Sequence, residues 1–285
     1  MLPAGAEPAL ASVSRWPFVR LKRMTESLEP TALSAGAAAK QSGLPAAVAA
    51  EQAGPTASPE LTTWGVGPWQ GEWPLDAEGN LDPVLDPELL TAGDTRNVLD
   101  KYRYWRMDAI VADLDSRRHR FHVAIENWQH DLNIGSIVRT ANAFLASEVH
   151  IIGHKRWNRR GAMVTDRYQH IRHHPTVEDF LAWTRDAGID GGALAATDPV
   201  TGEVTYTPLP VIAIDNVPGC LQIEKYALPV DCVLLFGQEG PGLSQPAIDA
   251  SEVVLEITQF GSTRSINASA AAAIAMHAWL MQHVF

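Results

Sequence analysis

The sequence predicts an α/β fold, a mainly parallel sheet with helices on both faces. Three observations predict it. Short apolar runs bounded by turn formers alternate with longer helical stretches over residues 121–285. The runs are continuous rather than alternating, as in Val233-Leu234-Leu235-Phe236, which suits strands buried on both faces. Two of them end in glycine-containing loops, where an open α/β sheet places its small-molecule site.

Taken in order, strands are expected at 121–126, 148–152, 192–197, 210–215, 231–236 and 251–257. Helices are expected at 134–146, 176–187 and 265–284, and a basic irregular stretch follows the second strand. Upstream, Asp94 or Thr95 is read as the cap of a helix running to about Ser116. Val98, Tyr102, Trp105, Ala109 and Ala112 make its apolar stripe. Residues 61–120 thus form a Trp- and Pro-rich strap and a basic helical extension. Trp64, Trp69 and Trp73 stand amid Gly and Pro, followed by Asp82-Pro83 and Asp86-Pro87, a pattern of extended, turn-rich chain. These aromatics either pin the strap to the main domain or offer a base-stacking platform. Residues 1–60, rich in Ala, Pro, Ser and Glu, lack the apolar anchors that offset ordering entropy, so disorder is expected there. Met1 and Met24 are both open as the true start.

Composition narrows the class. The chain has 285 residues, 46% of them hydrophobic, enough for a full core. No apolar run approaches the ~20 residues of a membrane helix, and the first thirty residues lack the continuous apolar core of a secretory signal. No membrane partner is expected. Cys220 and Cys232 are too few for a disulfide framework or a zinc site, and suit a reducing cytoplasm. The net charge of −11 opposes indiscriminate nucleic-acid binding. Locally the balance reverses: Lys155, Arg156, Arg159, Arg160, Arg167 and Arg172 are interrupted only by Asp166. With Trp157, Tyr168 and three histidines among them, these bases suit phosphate pairing and stacking on unpaired nucleotides. The other reading is a solvated loop whose charges balance nearby acids. His170, His173 and His174 lack ligand spacing, so no metal is expected at them.

Three segments carry the chemistry. The first, Asn133-Ile134-Gly135-Ser136-Ile137-Val138-Arg139-Thr140-Ala141-Asn142, opens a helix after the first strand, and Arg139 is its one base. The second is Gly237-Gln238-Glu239-Gly240-Pro241-Gly242-Leu243-Ser244. Its glycine order, G-x-x-G-x-G, and its proline argue against a dinucleotide loop and a Rossmann-type dehydrogenase. The third is Gln259-Phe260-Gly261-Ser262-Thr263-Arg264-Ser265-Ile266-Asn267, with Ser265 placed to cap the last helix and Asn267 in its first turn.

In order and spacing these segments resemble the three motifs of the SpoU/TrmH family of RNA ribose 2′-O-methyltransferases, of the SPOUT class, over roughly residues 121 to 285. The resemblance implies a C-terminal trefoil knot, which periodicity alone could not suggest. It implies methyl transfer from S-adenosylmethionine to a ribose 2′-hydroxyl of structured RNA, tRNA or rRNA, by a homodimer. Gly237, Gly240, Ile257, Ser265, Ile266 and Asn267 would bind the cofactor. Arg139 takes the proposed catalytic position, with Asn133 and Glu239 holding it and the loops in register. Leu145 stands where the family often has glycine, at the far end of the helix. The alternative function is a knotted RNA-binding module without chemistry.

Overall fold

The computed structural model describes residues 65–129 and 133–285. The expectations for residues 1–60, Met24 and Trp64 lie outside the described residues. Nine strands are present among them: β1 (Phe121–Asn127), β2 (Val149–Gly153), β3 (Ile171–His174), β4 (Leu194–Thr197), β5 (Val204–Thr207), β6 (Val211–Ile214), β7 (Leu221–Gln222), β8 (Cys232–Phe236) and β9 (Val253–Glu256). Six helices accompany them: α1 (Pro87–Ala92), α2 (Met107–Asp115), α3 (Asn133–Ala143), α4 (Val177–Arg185), α5 (Gln245–Asp249) and α6 (Ala268–His283).

Seven strands form one sheet in the order β3-β2-β1-β8-β6-β9-β7, and each neighbouring pair is parallel. The expected parallel architecture is therefore present. Strand order reverses between β1 and β8, the switch point at which the loops leaving two adjacent strands diverge and open a crevice. β4 and β5 stand apart as an antiparallel hairpin.

Side-chain alternation splits each central strand between two cores. Phe121, Val123 and Ile125 of β1 join Cys232, Leu234 and Phe236 of β8 against α3 and α6. Ala124 of β1 joins Val233 and Leu235 of β8 against Phe180 and Trp183 of α4 and Ala247 of α5. In α6, Ala272, Ala275, Met276 and Trp279 are buried at i, i+3, i+4 and i+7, the spacing of one helical face. The two alanines let the helix backbone approach, and the Trp279 ring lies 4.7 Å from that of Phe121. No helix among the described residues is long and apolar enough to cross a membrane.

Several expectations need correction. The strand expected at 192–197 is not part of the main sheet. Asp198 accepts hydrogen bonds from the N–H groups of Val200 and Thr201, and this turn folds the strand locally onto β5. The stretch read as irregular contains β3, an edge strand with one polar side, whose Arg172 is matched by Glu148. An edge strand needs no continuous apolar run, so the run-length signal misses it.

Upstream, the helix expected from Asp94 or Thr95 starts at Met107 instead. Asp94 is fully buried and its carboxylate is spent on a loop. It accepts from the Arg96 guanidinium at 2.6 and 2.8 Å and from the Tyr104 N–H at 2.9 Å. Burial pushes the Asp94 carboxyl up, but these donors more than reverse that and hold it below its ordinary value. Tyr104 itself takes a left-handed φ of 64°, which breaks any helix through that point. The strap is not wholly extended either. Pro87 occupies the first turn of α1, where its missing N–H costs nothing, and Asp86 caps it through the Glu88 N–H. Trp69 packs edge-on against Tyr104 at 5.4 Å and is 36% exposed, so it is pinned within the extension with one face still open.

Asp94→Ala would leave Arg96 and the Tyr104 amide without their shared acceptor. Loss of one partner of a buried ion pair costs about 3–5 kcal/mol. Urea unfolding should show a lower midpoint with an unchanged slope. An unchanged midpoint would mean that this carboxylate does not organise the extension.

Candidate active site

The carboxyl ends of β6, β8 and β9 converge on a cleft of about 600 Å³. Its walls are Asp215, Asn216 and Val217 after β6, residues 237–243 after β8, and Ile257 and residues 264–268 after β9. That volume is in the range of small-molecule sites, roughly 300–1,000 Å³. All six residues expected to bind a cofactor, Gly237, Gly240, Ile257, Ser265, Ile266 and Asn267, line it, as does Glu239.

The loop after β8 doubles back on itself. Gln238 and Gly242 exchange both backbone hydrogen bonds, at 3.1 and 3.2 Å. A Cβ on Gly237 would stand 2.2 Å from the Gly242 carbonyl carbon and 2.4 Å from the Leu243 nitrogen, so the turn closes only over a bare Cα. Gly240 and Gly242 both take positive φ, at 98° and 73°. Two carboxylates clamp this loop. Asp215 accepts from the Leu243 N–H at 2.8 Å. Glu126, fully buried at the end of β1, accepts from the Ser244 N–H at 2.7 Å and its hydroxyl at 2.6 Å, and from the Trp128 indole at 3.0 Å. Sequence reasoning missed both acids. Asp215 was detectable, since Asp-Asn-Val-Pro-Gly after a strand is itself a strand-end loop. Glu126 has no local signal for the clamp, because Ser244 is 118 residues away.

Two side-chain hydrogen bonds tie the three segments together. Asn133 at the start of α3 donates from Nδ2 to Glu239 Oε2 at 2.7 Å. Asn267 donates from Nδ2 to Asn133 Oδ1 at 2.8 Å. Asn267 also caps α6, its Oδ1 accepting from the Ser269 N–H at 3.0 Å. The cap is therefore Asn267, not Ser265 as expected. Asn267 thus has bonds to both the α6 and the α3 termini.

Arg139 lies two turns further along α3, about 9 Å up the axis. It is exposed, and it has no hydrogen bond or ion pair among the described residues. The structural ion pair that would have explained a lone arginine is absent among those residues. So is the expected hold of Asn133 and Glu239 on Arg139: those two bond to each other.

The basic stretch packs on the first turn of α3. A Cβ on Gly135 would lie 2.8 Å from both Ala162 N and Asn158 O, so the 158–162 loop sits directly against the motif helix. Its charges are less uniform than the sequence suggests. Arg172 is half-buried against Glu148, with Nε at 3.2 Å from both oxygens, and does not join an exposed patch. Arg159 meets Asp166 at 3.1 Å and lies 5.4 Å from the Trp157 ring. Lys155, Arg156, Arg160 and Arg167 are exposed. The three histidines go separate ways: His170 to Asp115, His173 to the Gly153 carbonyl, and His174 into the sheet against His150.

The chain is thus an α/β protein with a cleft at the carboxyl ends of its parallel strands, walled by glycine-bearing loops. The chain belongs to the SpoU rRNA Methylase family, whose model matches residues 120–277. It is 28% identical over 185 residues to an uncharacterised tRNA/rRNA methyltransferase of Mycolicibacterium vanbaalenii, covering 61% of this chain and 51% of that protein. It is 25% identical over 180 residues to the tRNA (guanosine(18)-2′-O)-methyltransferase of Escherichia coli, covering 61% of this chain and 68% of that one. The match thus spans about half of the mycobacterial relative. Among solved structures, the AdoMet-bound rRNA methyltransferase of Sinorhizobium meliloti is similar at a TM-score of 0.48 and 21% identity, over 61% of each chain.

The Asn133–Glu239 bond should appear as coupling. In a double-mutant cycle of Asn133→Ala and Glu239→Ala, the stability losses should fall short of additivity by about 1 kcal/mol. Strict additivity in urea unfolding would show that the segments are joined some other way.

Proposed function

We propose that the chain transfers the methyl group of S-adenosylmethionine to a ribose 2′-hydroxyl of structured RNA, tRNA or rRNA. One observation carries the reading: the three family segments meet at one cleft through Asn133, Glu239 and Asn267. The cleft fits the cofactor in kind. Gly237 lets the loop fold back on the Gly242 and Leu243 backbone to wall the cleft, and Ile257 and Ile266 offer apolar walls for a ring. The sulfonium of the bound cofactor would supply an already activated methyl group. What remains for the protein is alignment, worth up to ~7–11 kcal/mol of such a barrier, and stabilisation of a hydroxyl losing its proton.

Arg139 is assigned to the second task. A guanidinium stays protonated to about pH 12, which makes it a poor base. As a fixed cation it would hold a neighbouring RNA phosphate and stabilise the alkoxide as it develops, the proton passing to that phosphate as the methyl moves from sulfur to oxygen and S-adenosylhomocysteine leaves. Its exposure, without a partner among the described residues, supports this acceptor-side role. Asn133 and Glu239 would act through loop register rather than through Arg139. Lys155, Arg156, Arg160 and Arg167 form the proposed RNA surface, with Arg159 sharing its charge with Asp166.

The remaining features of this reading are a C-terminal trefoil knot, a homodimer and a cytoplasmic location. The packing of α6 against α3 and β8 supports the knot. Exposed Ile274, Met281, Val284 and Phe285 at the chain end support a self-associating face. Two free cysteines suit a reducing compartment.

Calorimetry with S-adenosylhomocysteine should give binding that survives EDTA, with none for NAD; the reverse preference would end the reading. Arg139→Ala should lower methyl transfer about 10²–10³-fold with homocysteine-product affinity near wild type. Arg139→Lys should restore little, because a point charge cannot reproduce a planar fork. Substantial turnover in the alanine variant would remove Arg139 from the mechanism. RNA binding without cofactor binding or turnover would favour the non-catalytic knotted module.

Arg160→Glu with Arg167→Glu should weaken RNA binding and leave cofactor binding intact. Each lost phosphate contact should also reduce the salt slope by about 0.7–0.9. An unchanged affinity and slope would move the RNA site off this loop.

A further inference from the structure

A second cluster lies at the opposite end of the strands from the cleft. Val123 pairs with Val149 across β1 and β2, so His122 stands opposite Glu148 at their amino ends. His150 follows two residues after Glu148, on the same face of the sheet. Among the described residues, His122, Glu148 and His150 converge, their ligand atoms all within 4.8 Å of one another. His122 Nδ1 is 3.1 Å from His150 Nε2, and His150 Nε2 is 3.9 Å from Glu148 Oε2. Tetrahedral zinc, with bonds of about 2.0–2.1 Å to nitrogen and oxygen, separates its ligands by about 3.3 Å. The two separations from His150 Nε2, 3.1 and 3.9 Å, bracket that spacing.

We propose that His122, Glu148 and His150 form a divalent metal site of the zinc class that joins the amino ends of β1 and β2. Two imidazoles and one carboxylate suit zinc rather than magnesium or calcium, which prefer oxygen throughout.

The surroundings hold these donors in place, as the outer partners of metal ligands do. His150 Nδ1 shares a hydrogen bond of 3.0 Å with His174 Nε2, which leaves Nε2 to face His122 and Glu148. Arg172 orients the Glu148 carboxylate through both oxygens at 3.2 Å. The Trp183 ring lies 4.1 Å from the His150 ring and closes the floor. A neutral histidine chain would link His122, His150 and His174 without Glu148, whose carboxylate stands 3.9 Å from His150 and is shared only with Arg172 among the described residues. A cation between the three uses every one of these lone pairs. The positive Arg172 nearby makes the site weaker than one with an unopposed carboxylate.

The test uses the full chain, stripped with a chelator and titrated with zinc chloride by calorimetry. Cobalt(II) serves as a coloured probe of coordination. One equivalent of zinc should bind, cobalt should give visible d–d bands, and zinc should raise Tm. Glu148→Gln and His122→Gln should each weaken binding at least tenfold and remove the Tm rise, while His277→Gln on exposed α6 should leave both unchanged. Far-UV circular dichroism and homocysteine-product binding establish that the variants are folded. No stoichiometric binding, or binding that Glu148→Gln and His122→Gln leave unchanged, would overturn the proposal and leave a dry histidine chain.

Discussion

Every strand of the main sheet points the same way, and this constraint organises the molecule. Parallel strands send their outgoing loops to one edge, so segments more than a hundred residues apart in sequence leave the sheet side by side. The loops leaving β6, β8 and β9, three neighbouring strands, wall the cleft. A sheet of this kind must be buried on both faces, which is why α3 and α6 cover one side and α4 and α5 the other. The cleft at one edge and the histidine cluster at the other both follow from the same alignment.

Placement by the sheet does not give loops their shape. The loop after β8 has little apolar side-chain mass of its own, and its conformation is set by backbone contacts and by two acids outside it. Glu126 reaches in from β1 and Asp215 from the end of β6, each accepting backbone N–H groups that would otherwise lack partners. Bare Cα atoms are needed where the loop folds back. Asn133 then ties this loop to the last one, so cleft walls on different strands are joined. Arg139 stands outside that network and is exposed.

The 65–120 extension follows a different rule. It has no sheet of its own, and a single buried carboxylate, Asp94, gathers the chain around Arg96 and Tyr104. An acid next to a threonine reads locally as a helix cap, and the 98–112 stripe reinforced that reading. Tertiary burial of the carboxylate overrode it. The helix starts only after Arg106, once the chain has left this knot of hydrogen bonds.

The sequence by itself determined the parallel α/β class, the central strands, α3, α4 and α6, and the three segments that line or tie the cleft. These have local causes: continuous apolar runs, helical periodicity, and glycines where a side chain would collide. Tertiary structure alone decided what depended on distant partners. It set β3 at an edge, made Asn267 the cap that also holds Asn133, and paired Arg172 with Glu148, thinning a basic patch that looked uniform in the chain. It also buried Glu126 beneath Ser244 and brought His122, Glu148 and His150 together. The physical reason is that a charged or polar side chain is defined by what faces it across the fold, and that neighbour is not written near it in the chain.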